Sequence, residues 1–337
     1  MTTDTITLTL APKILLIQTA FIGDVVLATP LIEQLHRFFP AASIDFLLRK
    51  GNESLLTDHP KLRKIIVWKK KEAKYAQLWK ILVDVRREKY DVVINLQRFG
   101  ATGLLTVLSG ASQTIGFDKN PFSFFFSKKI RHKIGSLSQP LHEVERNLAL
   151  LEPITGGGFD RPRLYPSPQD YDFVKNYQSG DYVCLAPTSV WFTKQLPIEK
   201  WLELIAQLPD LWHIYLLGAQ TDSAVCEEII KKSGHKSVHN LAGKLSFLAS
   251  AALMSGSKMN YVNDSAPLHF ASAMNAPVTA FFCSTLPSFG FYPLSEVSFV
   301  AETAMPLACR PCGLHGKSAC PERHFRCAKE ILMPHKE

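Results

Sequence analysis

Short runs of apolar residues alternate with longer stretches of helical periodicity along most of this chain. The run Lys13–Gln18 is continuous and short enough for a buried strand, and a helical pattern follows from Val25 to Phe38. Repeated alternation of this kind predicts βαβ units and a parallel sheet. Further elements predicted in this half are strands at 43–48, 64–68, 90–95 and 113–116 and helices at 73–89 and 100–109.

The pattern lapses between Pro153 and Asp181, where glycine and proline are dense, as in a linker. A chain of 337 residues also exceeds the usual size of one hydrophobic core. We therefore expect two domains, 1–160 and 161–337, each α/β and Rossmann-like, with parallel sheets facing a central cleft. Elements predicted in the second domain are strands at 182–186 and 213–217 and helices at 198–207, 222–232 and 246–254, before a strand and helix within 258–282.

Composition is that of a folded globular protein, with 46% apolar and 20% charged residues. No run of 18 or more apolar residues occurs, and the first ten residues lack a basic segment followed by an apolar one, so we expect a cytoplasmic protein. The formal charge of +8 favours anionic partners. The basic runs at 63–74 and 128–133 carry no nucleic-acid motif, so a phosphorylated substrate or an acidic lipid surface remains, with no nucleic acid.

Polar residues follow the predicted strands at the edge where parallel sheets bind ligands. Asn263, Asp264 and Ser265 lie between a buried strand and a helix that has Pro267 just inside its start. The amino terminus of such a helix favours oxyanions, but Asp264 or Ser265 would equally serve as a helix cap. Both interpretations stay open on the local pattern.

Three further loops hold candidate ligand-binding groups. Asp24 follows Gly23 at a helix start, as a cap or a general base. Thr188, Ser189 and Lys194 offer hydroxyls and a cation without a carboxylate, which suits phosphate oxygens. Asp222 would bond a ribose or cap a helix. With Ser265, Lys194 predicts a diphosphate site, and because neither of their loops carries an Asp-x-Asp pair the protein itself would neutralise the phosphates.

Several ordered motifs resemble glycosyltransferase family 9, the heptosyltransferases of lipopolysaccharide core assembly. They span nearly the whole chain: KILLIQTAFIGDVVLATPLIEQL from Lys13, YDVVINLQ from Tyr90, HEVERN from His142, KQLPIEKW from Lys194, LAG from Leu241 and NDSAPLH from Asn263 to His269.

This resemblance implies a GT-B fold and inverting, metal-independent transfer, usually of a heptose from ADP-heptose, to a lipid-linked glycan or lipopolysaccharide core acceptor. The first domain would bind the acceptor and the second the nucleotide sugar, with no cofactor. Asp24 would be the general base, beside Thr19 and Gly23 on the acceptor side, and Lys194 would neutralise the departing diphosphate. The remaining donor-binding residues would be Thr188, Ser189, Asp222, Asp264, Ser265, Ala266 and His269.

The resemblance also implies work at the cytoplasmic face of an inner membrane, as a peripheral enzyme. Three positions depart from the family pattern, with Leu196 in place of Trp, Ala266 in place of Gly and Asp222 in place of Glu. Two rival functions are a GT-B-type nucleotide-sugar epimerase and a non-catalytic sugar-nucleotide or lipid-binding protein.

Two weaker signals remain. Cys309, Cys312, Cys320 and Cys327 have a spacing that a structural zinc or two disulfides would use, and we expect structural cysteines rather than a metal site. The aromatic stretch Phe122–Phe126, followed by a basic run, suits docking to an anionic membrane. The favoured alternative is a buried helix end that leads into an edge strand.

Overall fold

The computed structural model describes residues 6–136 and 138–333, and they form two compact units. The first unit comprises the described residues up to Ile134 together with Leu141–Tyr165, and the second comprises Gly135–Pro140 and the described residues from Pro166 onward. The chain therefore changes unit within the Gly- and Pro-rich stretch, after residue 165. The outer limits of the expected domains, residues 1 and 337, lie outside the described residues.

The first unit is one sheet of six parallel strands in the order β3-β2-β1-β4-β5-β6. Its strands are β1 (Lys13–Ile17), β2 (Ser43–Arg49), β3 (Lys64–Trp68), β4 (Val92–Asn95), β5 (Gln113–Phe117) and β6 (Lys128–Ile130). Its helices are α1 (Ile22–Val26), α2 (Thr29–Phe38), α3 (Lys74–Glu88), α4 (Gly100–Leu108), α5 (Glu143–Leu148) and α6 (Glu152–Thr155).

Strands β1 and β4 lie at the centre of this sheet and are almost wholly buried, which explains their continuous apolar sequences. The strand order reverses between them, so the loops that follow β1 and β4 border the position where doubly wound sheets bind ligands. Trp68, Val85 and Tyr90 belong to the core that covers one face of the sheet.

The helix predicted at 25–38 is wrong as one element, because the structure divides it into α1 and α2. Pro30 lies in the first turn of α2, where it lacks the N–H that a continuous helix would need. The hydroxyl of Thr29 donates to the carbonyl of Val26 at 2.7 Å and holds the break. The short α1 keeps Asp24 in its first turn.

The second unit repeats the same topology, in the order β12-β11-β10-β7-β8-β9. Its strands are β7 (Tyr182–Ala186), β8 (His213–Leu216), β9 (Val238–Asn240), β10 (Asn260–Asn263), β11 (Val278–Phe282) and β12 (Ser298–Glu302). Its helices are α7 (Pro168–Val174), α8 (Ile198–Ile205), α9 (Ser223–Ser233), α10 (Phe247–Ser255), α11 (Ala266–Ala273) and α12 (Arg326–Lys329).

In this sheet the strand order reverses between β7 and β10, so the loops after these two strands are neighbours. The sequence pattern did not predict β9, β11 or β12; β9 and β12 form the two edges of the sheet, and β11 lies inside it. None of the helices within residues 6–136 and 138–333 has the length and hydropathy of a membrane span.

Candidate active site

Lys194 and Asp264 meet where β7 and β10 end in the second unit. Lys194 closes a short 3-10 turn, Phe192–Lys194, in the loop after β7, and Asp264 directly follows β10. The Lys194 Nζ atom lies 2.7 Å from Asp264 Oδ2, and the two side chains are only 14% and 5% exposed. The hydroxyl of Thr285 donates to the same Oδ2 at 2.6 Å. This arrangement places a cation and its counter-ion at the carboxyl edge of the sheet.

Asn263 fixes the loop that carries Lys194. Its Oδ1 accepts the backbone N–H of Leu196 at 2.9 Å, and its Nδ2 donates to the carbonyl of Ala186 at 3.3 Å. The Asn263 side chain is fully buried, so these bonds replace contacts with water. The end of β10 therefore fixes the positions of both charged residues. Asp264 follows the strand directly, and Lys194 lies in the loop that Asn263 holds.

Thr193 anchors the other side of the same turn. Its hydroxyl oxygen accepts the N–H of Lys317 at 2.8 Å and the hydroxyl of Ser284 at 2.9 Å. Its own N–H donates to the carbonyl of Lys317 at 3.1 Å. The segment around Lys317 thus holds the turn in place through hydrogen bonds, and the sequence pattern did not indicate this contact.

The amino terminus of α11 begins at this point without a side-chain cap. Ser265 occupies the cap position, but its hydroxyl donates to the carbonyl of Asn263 at 3.3 Å and bonds to no N–H of the helix. The Asp264 carboxylate contacts Lys194 and Thr285. Simple capping therefore does not account for these residues, and the first turn from Ala266 presents a positive helix end.

His269 lies one turn into α11 and is buried. Burial and the Lys194 charge lower its pKa to about 4, although Asp264 opposes them, so the ring is neutral near pH 7. Its Nδ1 atom is buried without a hydrogen-bond partner in the described structure. The imidazole is thus a polar group with unused hydrogen-bonding capacity beside the ion pair.

Thr188 and Ser189 lie half-buried in the loop after β7. The backbone carbonyl of Ser189 accepts the Gln195 side-chain N–H at 2.6 Å, which closes this part of the loop. The loop brings both hydroxyl residues to the same edge of the sheet as Lys194.

Asp222 lies in a different loop, the one that follows β8. Its Oδ2 accepts the N–H of Ala219 at 2.7 Å, so one of the two carboxylate oxygens caps the helix start. The next post-strand loop packs on this one, and Gly243 donates its N–H to the carbonyl of Gly218 at 2.9 Å. Gly243 has φ +75°, and a Cβ there would lie 2.7 Å from the Cα of Gln220. Only glycine fits both constraints.

In the first unit, Asp24 belongs to the first turn of α1, after the loop that leaves β1. Its Oδ2 accepts the N–H of Phe21 at 3.0 Å, which closes the first turn of the helix. Gly23 is half-buried beside it. Thr19 is buried, and its carbonyl accepts the Lys70 ammonium at 2.8 Å.

Glu143 is a carboxylate near Asp24 that sequence reasoning missed. Burial raises the pKa of Glu143 to about 7, and the Asp24 charge adds to this, while Arg146 and Arg98 oppose it. Glu143 forms a close ion pair with Arg146, but loss of hydration outweighs the attraction. Glu143 belongs to the HEVERN motif of the sequence, but the motif predicted no role for it.

Cations gather on the same side of the first unit. Burial and the charges of Arg49 and Lys74 lower the pKa of Lys70 to about 8. The Lys70 ammonium also lies 4.8 Å from the centroid of the Trp68 ring. These cations lie near the loop that carries Thr19. Lys70 and Lys74 belong to the basic run at 63–74 of the sequence, and Arg49 does not.

Four cysteines of the second unit, Cys309, Cys312, Cys320 and Cys327, line one pocket. Their thiols are free in the structure. Over residues 6–136 and 138–333, no three His, Cys, Asp or Glu side chains are grouped so as to hold a metal ion. The structural role expected for these cysteines remains a prediction.

Comparison with known proteins identifies the chain's relatives. Lipopolysaccharide heptosyltransferase 3 of Escherichia coli is 28% identical over 281 residues, which cover 79% of this chain and 82% of that protein. A glycosyl transferase family 9 structure from Veillonella parvula matches with a TM-score of 0.77 at 20% identity, over 86% of this chain and 85% of that one. The structure of E. coli ADP-heptose lps heptosyltransferase II matches with a TM-score of 0.74 at 22% identity, over 94% and 97%.

These structural matches confirm the GT-B class of fold, built from two Rossmann-like units. Residues 78–312 match the family described as "Glycosyltransferase family 9 (heptosyltransferase)", which is well over half of the chain. This match favours a transferase over the epimerase and the non-catalytic binding protein. The chain is a glycosyltransferase and belongs to glycosyltransferase family 9, the heptosyltransferases.

Proposed function

We propose that this enzyme transfers a heptose from ADP-heptose to a lipopolysaccharide core acceptor, with inversion at the anomeric carbon and without a metal ion. The names of its relatives support the donor and the acceptor, since one is a lipopolysaccharide heptosyltransferase and another an ADP-heptose heptosyltransferase. The observation that carries the proposal is the Lys194–Asp264 pair at the uncapped start of α11.

A diphosphate leaving group gains negative charge as its bond to the sugar breaks, so transfer needs positive groups placed in advance. Lys194 supplies a full charge, and the first-turn amides of Ser265 and Ala266 supply the positive end of α11. Thr188 and Ser189 would add hydroxyl donors from the loop after β7. This set performs the neutralisation that a divalent cation performs in metal-dependent enzymes.

Asp264 has two tasks in this proposal. Without donor it holds the Lys194 ammonium in place at 2.7 Å. When the donor binds, the diphosphate shares that ammonium, and the Asp264 carboxylate accepts hydrogen bonds from hydroxyls of the heptose. The neutral His269 ring beside it offers a further polar contact, and Asp222 would bond the ribose.

The reaction forms one bond and breaks one. The acceptor hydroxyl oxygen attacks the anomeric carbon from the face opposite the diphosphate, while its proton passes to the Asp24 carboxylate. The bond between the anomeric carbon and the diphosphate oxygen breaks, and its electron pair leaves with ADP. Attack from the opposite face inverts the configuration at that carbon.

The first unit binds the acceptor in this proposal, and the second binds the donor. Lys70, Arg49 and Lys74 form a basic surface near Thr19 that suits an acidic core glycan. Gly23 would let the acceptor hydroxyl approach the backbone beside Asp24.

The test is transfer by the purified protein from ADP-heptose to a truncated lipopolysaccharide core, with EDTA present. We expect ADP release that depends on the acceptor and a glycosidic bond of inverted anomeric configuration by NMR. Reactions with UDP- and GDP-sugars in place of ADP-heptose are the matched controls. Conversion of the nucleotide sugar without acceptor, loss of activity in EDTA, or a retained configuration would each contradict the corresponding part of the proposal.

A further inference from the structure

The connection between β5 and β6 exposes two phenylalanines. These neighbouring parallel strands are joined by residues 118–127, which contain only a short 3-10 turn at Ser123–Phe125. Parallel strands are usually joined by a longer crossover with a helix, which would cover such side chains. Phe124 is 82% exposed and Phe125 is 65% exposed, so the buried location favoured from the sequence is wrong for these two residues. We call residues 118–127 the aromatic turn.

The aromatic turn is firmly attached to the first unit. Asn120 is buried, donates from Nδ2 to the carbonyls of Gln97 at 2.9 Å and Phe99 at 3.2 Å, and accepts the N–H of Phe122 at 2.9 Å. At the other end Phe126 is buried so closely that a Cβ on Gly116 would lie 2.5 Å from its ring. Phe124 and Phe125 are thus exposed on a loop that is held at both ends.

A third exposed ring borders the turn. Phe99 is 63% exposed, and Asn120 ties its backbone to the same loop. The rings of Phe124 and Phe125 are 5.6 Å apart and lie at 89° to each other. Nucleic-acid bases stack on aromatic faces, and these two rings offer no common plane for stacking.

Positive charge flanks these rings. Residues 119–142 contain five Lys or Arg residues and no Asp or Glu. The five are the basic flank of the aromatic turn: Lys119, Lys128, Lys129, Arg131 and Lys133. All but Lys128 are exposed. Aromatic side chains that enter the headgroup region, next to cations that face acidic lipids, are a common means of peripheral membrane binding.

We infer that the aromatic turn and its basic flank dock the first unit on an anionic lipid bilayer. Phe99, Phe124 and Phe125 would enter the interface while the basic flank faces acidic headgroups. A partner protein fits less well, because a typical interface buries about 800 Å² per side. Three phenyl rings supply about 450 to 750 Å² in all, even if each is fully covered. The inference goes beyond transfer, since vesicle binding requires neither donor nor acceptor.

The experiment is co-sedimentation of the full chain with vesicles of phosphatidylethanolamine and phosphatidylglycerol, against vesicles of phosphatidylcholine alone. We expect binding to the anionic vesicles that weakens as salt rises. The double variant Phe124→Ser/Phe125→Ser should bind about tenfold or more weakly. The triple variant Lys129→Gln/Arg131→Gln/Lys133→Gln should lose most of the salt-dependent binding. Equal binding by wild type to both kinds of vesicle would overturn the inference.

Matched controls remove the same kinds of group from the second unit. Phe173→Ser/Leu211→Ser deletes two exposed apolar side chains, and Lys175→Gln/Lys231→Gln/Lys236→Gln deletes three exposed charges. Both should bind vesicles as wild type does. Loss of binding in these controls equal to that in the aromatic-turn variants would show non-specific attraction and overturn the inference.

A second measurement follows fluorescence and does not require the removal of an aromatic side chain. In Phe125→Trp, the indole fluorescence of the new residue should shift to shorter wavelength when anionic vesicles are added. No shift while vesicles bind would place the contact elsewhere on the molecule. Binding of a single-stranded oligonucleotide by wild type, lost in the aromatic-turn variant, without vesicle binding would assign the surface to nucleic acid instead. Transfer to a water-soluble acceptor should survive in all of these variants, which separates this inference from the proposed function.

Discussion

The ammonium of Lys194 lies 2.7 Å from the carboxylate of Asp264, and both side chains are largely withdrawn from solvent. A charge pair in this setting stabilises the fold little, because loss of hydration offsets much of the attraction. Its value is positional, since the carboxylate keeps a mobile lysine at one place beside the start of α11. The pair therefore positions the Lys194 ammonium before a diphosphate binds.

We predict that Lys194→Ala lowers kcat by about 100- to 1,000-fold, because it removes a positive charge that acts on the leaving group. The variant also strands the Asp264 carboxylate, so the free energy of unfolding should fall by about 3 kcal/mol. ADP-release kinetics and urea denaturation measure the two effects.

The double variant Lys194→Ala/Asp264→Asn serves as the control for stability. Without the stranded charge it should recover most of the lost free energy of unfolding and remain inactive. Recovery of activity together with stability would show that Lys194 has only a structural role.

Asp24→Asn should reduce kcat by about 100-fold or more, because general-base catalysis contributes rate factors of this size. The amide oxygen still accepts the N–H of Phe21, which keeps the cap of α1. The affinity for ADP, measured by calorimetry, should therefore change by less than about twofold.

Asp84→Asn is the matched control, since Asp84 is half-exposed on α3 and its contact with Arg87 lies on the surface. Its kcat should equal that of the wild type. Near-normal turnover of Asp24→Asn at saturating donor and acceptor would refute the assignment of the base.

Glu143 should make stability depend on pH. Its pKa is raised from the ordinary 4.5 to about 7, so between these values the folded state binds more protons than the unfolded state. The free energy of unfolding therefore falls as pH rises from about 4.5 to 7 and levels off above, by at most about 3 kcal/mol.

Glu143→Gln should remove this dependence. At pH 5 the variant and the wild type should be similarly stable, because Glu143 is then protonated, and at pH 8 the variant should be the more stable. Urea denaturation at the two pH values measures the difference. Parallel pH profiles for the two proteins would show that Glu143 ionises normally.

The strand and helix pattern was readable because both sheets are parallel and buried on both faces. Strands such as β1 and β7 then become continuous apolar runs, and the loops after them stand out. Lys194 and Asp264 were identified for that reason, as polar residues that follow central strands. Their direct contact was not predictable, because it depends on Asn263, which bonds across the sheet to Leu196 and Ala186.

Edge elements and helix breaks were harder to predict. Strand β9 has three residues, and β12 is mostly exposed, so neither leaves a buried apolar run. Glu143 was missed because a carboxylate in the first turn of a helix, three residues before an arginine, usually indicates a surface ion pair. Its burial results from packing, which no local pattern records.

Gly243 offers a test of the proposed nucleotide loops. Gly243→Ala would place a methyl group 2.7 Å from the Cα of Gln220 and at a φ of +75°. We expect a loss of about 1 to 2 kcal/mol from the left-handed backbone alone. The clash should also displace the loop that carries Asp222 and weaken ADP binding about tenfold, or about 1.4 kcal/mol, as measured by calorimetry.

The control is Gly234→Ala. Gly234 shares the positive φ, at +66°, but a Cβ there meets no atom within 4 Å, so this variant should lose stability and keep its ADP affinity. Equal ADP affinities in the two variants would exclude this loop from the donor site.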